Sequence, residues 1–162
     1  MDRYIQETPL LDYSNVSIQQ LVELKQWKSL DTFECIKAIY NFVRDDILFG
    51  YNIDDNISAS KVLSDGYGQC NTKGTLFMAL LRACNIPCRV HGFTIDKKLQ
   101  KGAMTGLVYK LAPQNVFHSW VEVLLEDKWY ELEAFILDKS YLEKLQKSNI
   151  NCIGAFCGYG VA

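Results

Sequence analysis

The stretch Gly66-Tyr67-Gly68-Gln69-Cys70, with the segment after it, decides the fold of this chain. Of the ten residues from Thr75 to Cys84, only Thr75 and Arg82 are polar, which predicts a buried helix. Cys70 falls at the start of that helix, where unpaired N–H groups and a partial positive charge favour the nucleophilic thiolate. The two glycines allow a sharp turn and close approach by a substrate. The stretch therefore predicts a central helix that begins at a reactive cysteine.

Size and composition favour an ordinary globular protein. The 162 residues carry a net charge of -2 and are 49% hydrophobic, which predicts a single domain over 1–162. No basic stripe indicates a nucleic-acid partner, and no apolar run reaches the ~20 residues of a membrane helix. The beginning of the chain does not resemble a secretory signal, so we expect a cytoplasmic protein. The six cysteines are then expected to be reduced and mostly buried.

The segments before Cys70 predict helices that pack around the buried helix. Their apolar spacing and capping residues place them as follows: 18–27 after Ser14 and Asn15, 35–43 after Asp31, and about 61–63 between Ser58 or Ser60 and Gly66. A short strand is expected within 47–51.

The segments after the buried helix predict a sheet. Pro87 ends the helix near Asn85. The expected elements are strands at 88–95, 116–125 and 129–135, a loop with one helix over 96–110, and a helix from Asp138 to Lys147. The tail 149–162 is small, apolar and glycine-containing; it packs on the body or belongs to a longer natural chain. The pattern predicts an α+β fold with N-terminal helices and the nucleophile helix on an antiparallel sheet.

A nucleophilic cysteine needs a base and a group that orients the base. The chain has two histidines, His91 and His118. The second lies on a predicted strand, and Glu131 and Glu133 on the next strand are the candidate acids. The order cysteine, histidine, acid occurs in many chains, so spacing alone leaves the assignment open.

Three segments of the chain carry motifs. The first is the turn before Cys70 with the run Leu80-Leu81-Arg82-Ala83-Cys84-Asn85-Ile86-Pro87. The second is His118-Ser119-Trp120-Val121-Glu122-Val123, and the third is Trp129-Tyr130-Glu131-Leu132-Glu133. In this order they resemble the cysteine segment, the histidine strand and the acid strand of the transglutaminase-like superfamily. The resemblance covers about 32–138 and implies a papain-like core with cysteine chemistry on acyl groups.

The resemblance implies a catalytic triad of three residues. Cys70 matches the nucleophile, His118 the base and Glu133 the orienting acid, although the family more often has aspartate at the last position. Gln69 is a candidate oxyanion donor, and Trp120 a candidate wall of the substrate cleft. Glu131 and Asp138 remain alternatives for the acid.

The implied activity is hydrolysis of a peptide, protein or small amide through a thioester intermediate. Transfer of the acyl group to an amine and a non-catalytic binding module are the alternatives. We expect no cofactor. Two cysteine groupings, Cys84-x3-Cys88-x2-His91 and Cys152-x4-Cys157, lack the tight matched pairs of a zinc site, so no metal is expected either.

Overall fold

The computed structural model describes residues 2–100 and 106–147; the expectations for the tail 149–162 therefore lie outside the described residues. The helices are α1 (Val16–Leu24), α2 (Thr32–Asp45), α3 (Ala59–Asp65), α4 (Cys70–Ala83), α5 (Gly106–Leu111) and α6 (Lys139–Lys147). The strands are β1 (Leu48–Phe49), β2 (Tyr67–Gly68), β3 (Cys88–Asp96), β4 (Asn115–Leu125) and β5 (Lys128–Leu132). Mixed helices and strands confirm the α+β class.

Local capping signals set the helix ends. The Asp31 carboxylate accepts a hydrogen bond from the Glu34 N–H at 3.0 Å and begins α2. Ser58 accepts from Lys61 in the same way and begins α3. At the other end of α3, Gly66 adopts φ 71°, the left-handed conformation that glycine takes without strain. These caps confirm the predicted starts of α2 and α3.

The predicted buried helix is α4, which begins at Cys70. Its apolar side chains Leu76, Phe77, Leu80 and Leu81 are 0% exposed. Gly74 faces the sheet side, where an added Cβ would lie 3.8 Å from Val121 and 3.9 Å from Phe135. Because apolar side chains surround it, α4 is the centre of the core.

The strands form two sheets. In the smaller one, β1 and β2 are parallel, with Leu48 opposite Tyr67. The larger one has the order β3-β4-β5, and β4 and β5 form the predicted antiparallel hairpin. Its two-residue turn, Glu126 and Asp127, has φ values of 50° and 61°, as a type I′ turn requires.

One predicted strand was too long, and one strand was not predicted. The last strand was predicted to run to Phe135, but β5 ends at Leu132, and Ala134 has a left-handed φ of 64°. Strand pairing cannot continue through that conformation. The strand β2 was not predicted, because two residues paired with a distant segment leave no periodic pattern.

The chain divides into two compact units, Met1–His91 with Ser119–Asp138, and Gly92–His118 with Lys139–Ala162. The first contains the core around α4. In the second, Lys97 Nζ donates to the carbonyl of Ala112 at 2.8 Å, and Gln114 Nε2 donates to Asp96 at 2.7 Å. The single domain over 1–162 stays a prediction. Among the helices of the described residues, none has the length and apolar character needed to span a membrane.

Candidate active site

Cys70 is the first residue of α4 and is half-buried. Gln69 precedes it as the N-cap, and its backbone N–H donates to Thr72 Oγ1 at 3.0 Å. Gly68 is required here, because a Cβ on it would lie 2.6 Å from the same Oγ1 atom. The turn therefore delivers the thiol to a helix N-terminus, as the sequence predicts.

The Gln69 side chain fastens a loop beside the thiol. Its Oε1 accepts a hydrogen bond from the Asn52 N–H at 3.0 Å, and its Nε2 donates to the Asp55 carboxylate. Asn52 also accepts from Thr72 Oγ1 at 2.6 Å. Gln69 thus holds the loop 52–55 against the first turn of α4, and one of its two amide hydrogens is used in doing so.

Asn71, the residue after Cys70, links three segments. Its Nδ2 donates to Asp55 Oδ2 at 2.8 Å. Its Oδ1 accepts from Ser119 Oγ at 3.0 Å and lies 3.7 Å from the Cys70 Sγ, which donates to it. Through Asn71, the candidate nucleophile therefore contacts a polar network that includes Asp55 and Ser119.

The other described cysteines lie in less reactive surroundings. Burial raises the pKa of Cys35, raises that of Cys84 to about 12 and raises that of Cys88 to about 11. The Cys88 thiol donates to the Met78 carbonyl at 3.5 Å. A raised pKa leaves little thiolate at neutral pH. Among these four cysteines, only Cys70 lies at the first residue of a helix.

The two histidines have different surroundings. His118 is 5% exposed in β4, and its ring meets Phe93 edge-on with centroids 5.2 Å apart. His91 stacks on Trp120 at 4.7 Å, and its Nδ1 lies 3.1 Å from Glu122 Oε1. The first is buried in the strand of the motif, whereas the second belongs to a charged cluster.

That charged cluster centres on Glu122, which is 4% exposed. Arg89 donates to it, Trp120 Nε1 lies 3.4 Å from its Oε1, and Arg89 also covers the Trp129 ring at 4.1 Å. Burial acts to raise the pKa of Glu122, but the hydrogen bonds from Arg89 and Trp120 outweigh it and leave the pKa below its usual value. Glu122 is thus a structural partner, and Trp120 is held in place by it.

The candidate acids differ in position. Glu131 lies directly opposite Glu122 across the hairpin. Glu133 follows β5, is exposed, and its backbone carbonyl accepts from the Tyr40 hydroxyl at 2.7 Å. Asp138 is 5% exposed, and its Oδ2 accepts from the Phe49 N–H at 2.9 Å.

Lys73, one turn after Cys70, is 0% exposed. Its Nζ donates to the carbonyls of Arg44 at 3.2 Å, Ile47 at 2.7 Å and Ile136 at 2.8 Å. It therefore ties α4 to the end of α2, to the residue before β1, and to the segment between Glu133 and Asp138.

Sequence reasoning missed Lys73, Asn71 and Asp55. A lysine in the first turns of a helix whose remainder is mostly apolar was a usable signal. Asp55 gives no such signal, because only the folded chain brings it to the cysteine.

The residues of the metal alternative have other contacts in the structure. The Cys88 thiol donates to a carbonyl, His91 lies within hydrogen-bond distance of Glu122, and burial raises the pKa of Cys84 to about 12. Within 2–100 and 106–147, no three histidine, cysteine, aspartate or glutamate residues are grouped as metal ligands. Cys152 and Cys157 lie outside the described residues.

A half-buried cysteine at the start of a buried helix, packed on a small sheet, defines a papain-like α+β protein. Residues 19–134 match the family profile of the transglutaminase-like superfamily, so the chain belongs to that superfamily. A search of curated protein sequences gives no significant match.

Two solved structures share the fold. The first is the "Putative Cysteine Protease from Cytophaga hutchinsonii", with a TM-score of 0.65 and 18% identity over 85% of this chain and 42% of that one. The second is the "putative protease from Parabacteroides distasonis ATCC 8503", with a TM-score of 0.51 and 17% identity over 82% of this chain and 25% of that one. This chain thus spans less than half of either protein.

Proposed function

We propose that this protein is a cysteine-dependent hydrolase of amide or peptide bonds, with Cys70 as nucleophile, His118 as base and Glu133 as orienting acid. One hydrogen bond carries the proposal: Ser119 Oγ donates to Asn71 Oδ1 at 3.0 Å. Ser119 directly follows His118 in β4, and Asn71 directly follows Cys70 in α4. The superfamily membership supports the same pair.

In the proposed reaction, His118 removes the Cys70 proton and the sulfur attacks the carbonyl carbon of the substrate. The oxyanion receives hydrogen bonds from the N–H groups at the start of α4 and from the remaining amide hydrogen of Gln69. The imidazolium then protonates the leaving amine, and a thioester remains on Cys70. Water, deprotonated by His118, hydrolyses the thioester and regenerates the thiol.

The hairpin register favours Glu133 as the acid. Glu131 pairs with Glu122, which is four residues past His118 along β4 and thus about 13 Å from it. Glu133 follows Leu132, the partner of Val121, and lies two residues nearer the His118 end. The Tyr40 hydrogen bond holds its backbone.

Site-resolved labelling of Cys70 with iodoacetamide between about pH 5 and 8 tests the nucleophile. We expect fast labelling below pH 7 that is lost in His118→Ala and kept in His91→Ala, the matched control. Labelling that begins only above about pH 8, unchanged in His118→Ala, would sink the proposal.

A panel of peptides, glutamine amides and esters, each with and without an added amine, identifies the acyl acceptor. Release of free acid at a rate unaffected by amine supports hydrolysis. A covalent amide product formed from the added amine indicates a transferase instead. If Cys70 labels slowly and no substrate turns over, the fold serves as a binding module.

A further inference from the structure

We propose that Asn71 is a positioning residue that holds Cys70 as the neutral thiol, and that Asp55 sets the orientation of the Asn71 side-chain amide. The inference rests on the proposed role of Cys70 as the nucleophile. It adds a device that controls when that nucleophile is available.

The orientation of the amide follows from its partners. Ionised Asp55 only accepts hydrogen bonds, so the Asn71 atom 2.8 Å from it must be Nδ2. The other amide atom, Oδ1, therefore faces Ser119 Oγ at 3.0 Å and Cys70 Sγ at 3.7 Å. Ser119 does not decide the orientation, because a hydroxyl both donates and accepts.

This orientation matches a thiol and opposes a thiolate. The thiol donates its S–H to Oδ1, as the structure has it. A thiolate has no hydrogen to donate, so it would face the lone pairs of Oδ1. Rotating the amide by half a turn would offer Nδ2 to the thiolate, but it would also turn Oδ1 towards the Asp55 carboxylate.

The position of Asp55 in an exposed loop allows it to act as a switch. It sits in an exposed loop and also accepts from Gln69 Nε2, so one carboxylate binds the residues on both sides of Cys70. Displacement of this loop releases both amides. Within the first compact unit, the ionisable side chains on the segments around the start of α4 include Asp54, Asp55, Tyr67 and Lys73.

The test compares Asp55→Asn with Asp54→Asn, a matched loss of one loop charge. Asp54 is exposed and accepts only from within the loop, at the Asn56 N–H (2.8 Å). We expect the pH profile of Cys70 labelling in Asp55→Asn to move about one unit towards acid, which is about tenfold in rate below the midpoint. Asp54→Asn should keep the parent profile. Urea unfolding of both variants checks that they remain folded.

Labelling in high salt distinguishes an effect of the Asn71 amide orientation from an effect of the removed Asp55 charge. Repulsion between exposed charges is largely screened at about 1 M salt. A faster rate in Asp55→Asn that persists in high salt supports the orientation role, and one that disappears overturns it. Asn71→Ala should also label faster than the parent, and adding Asp55→Asn to it should give no further gain in high salt, because Asp55 acts through Asn71.

Different labelling results would overturn the hydrolase proposal and the inference about Asp55 and Asn71. Fast, His118-dependent labelling of Cys70 with identical profiles for Asp55→Asn and Asp54→Asn overturns the inference and leaves the hydrolase intact. Slow labelling of Cys70 that is unchanged in His118→Ala overturns the hydrolase proposal. The ratio of the labelling rates of Asp55→Asn and Asp54→Asn still decides whether Asp55 controls the thiol.

Discussion

Replacement of Lys73 by methionine should change how stability depends on pH. The side chain is fully buried, and its ammonium bonds to the carbonyls of Arg44, Ile47 and Ile136. Burial lowers the pKa of Lys73 from 10.5 to about 7, while Asp138 and Asp45 act in the opposite direction and Arg44 adds to the lowering. Methionine keeps most of the volume and removes the titration.

The direction of this pH dependence follows from the number of protons that the folded and unfolded states hold on Lys73. Between pH 7 and 10.5, the unfolded chain holds a proton on Lys73 that the folded protein has released. The free energy of unfolding of the parent therefore rises with pH by about 1.4 kcal/mol per unit in this window, relative to the variant. From pH 6 to 9 the difference grows by about 2.7 kcal/mol. Below pH 7 both states are protonated and the difference is constant.

The part of the stability difference that does not depend on pH comes from the carbonyls that lose their hydrogen-bond donor in Lys73→Met. Those of Ile47 and Ile136 accept buried hydrogen bonds, and each costs about 1–3 kcal/mol when orphaned. Removing a buried charge offsets part of this. We expect Lys73→Met to be destabilised by about 2 kcal/mol at pH 6 and by about 4–5 kcal/mol at pH 9.

Urea unfolding followed by tryptophan fluorescence at pH 6, 7, 8 and 9 measures the difference. Titration of the cysteines and tyrosines is common to both proteins and cancels. Lys61→Met is the control, because Lys61 is exposed and bonded to Asp65 on the surface. A difference between parent and Lys73→Met that stays flat from pH 7 to 9 would refute the reasoning.

Three further outcomes are expected. Glu133→Gln should slow both the labelling of Cys70 and substrate turnover, whereas Glu131→Gln should not; a silent Glu133→Gln means that the acid lies elsewhere. Tyr40→Phe removes the hydrogen bond to the Glu133 carbonyl and should cost about 1 kcal/mol in urea unfolding, and an unchanged midpoint would show that this bond is dispensable. Gly68→Ala places a Cβ 2.6 Å from Thr72 Oγ1 and should cost about 1–3 kcal/mol, so an equally stable variant would contradict the tight turn.

The parts of the fold that depend on neighbouring residues were predictable. The caps of α2 and α3 lie within four residues of the groups that they bond. The helix α4 was predictable because its apolar side chains have no exposed face to interrupt the pattern. The end of β5 was not, since alanine carries no preference for the left-handed conformation that Ala134 adopts.

The residues of the candidate site likewise fall into those that local sequence predicts and those that only the folded chain brings together. The place of Cys70 at the start of α4 was predictable because a glycine turn and a helix start are local signals. Lys73 was missed because lysine is almost never fully buried without a partner, and its three acceptors come from segments 26 to 63 residues away. Asp55 was missed for the same reason, because its bonds to Gln69 and Asn71 span a loop and two further elements.

Motif matching leaves several carboxylates as candidate acids, and these carboxylates differ in position and in contacts. Glu122 is committed to Arg89, which leaves it buried and ion-paired. Asp138 accepts from the backbone of Phe49 and stabilises the fold there. Glu131 lies at the Glu122 end of the hairpin, away from His118. Glu133 is exposed, the Tyr40 hydroxyl donates to its backbone carbonyl, and the hairpin register places it nearer the His118 end than Glu131, which is why we propose it as the acid.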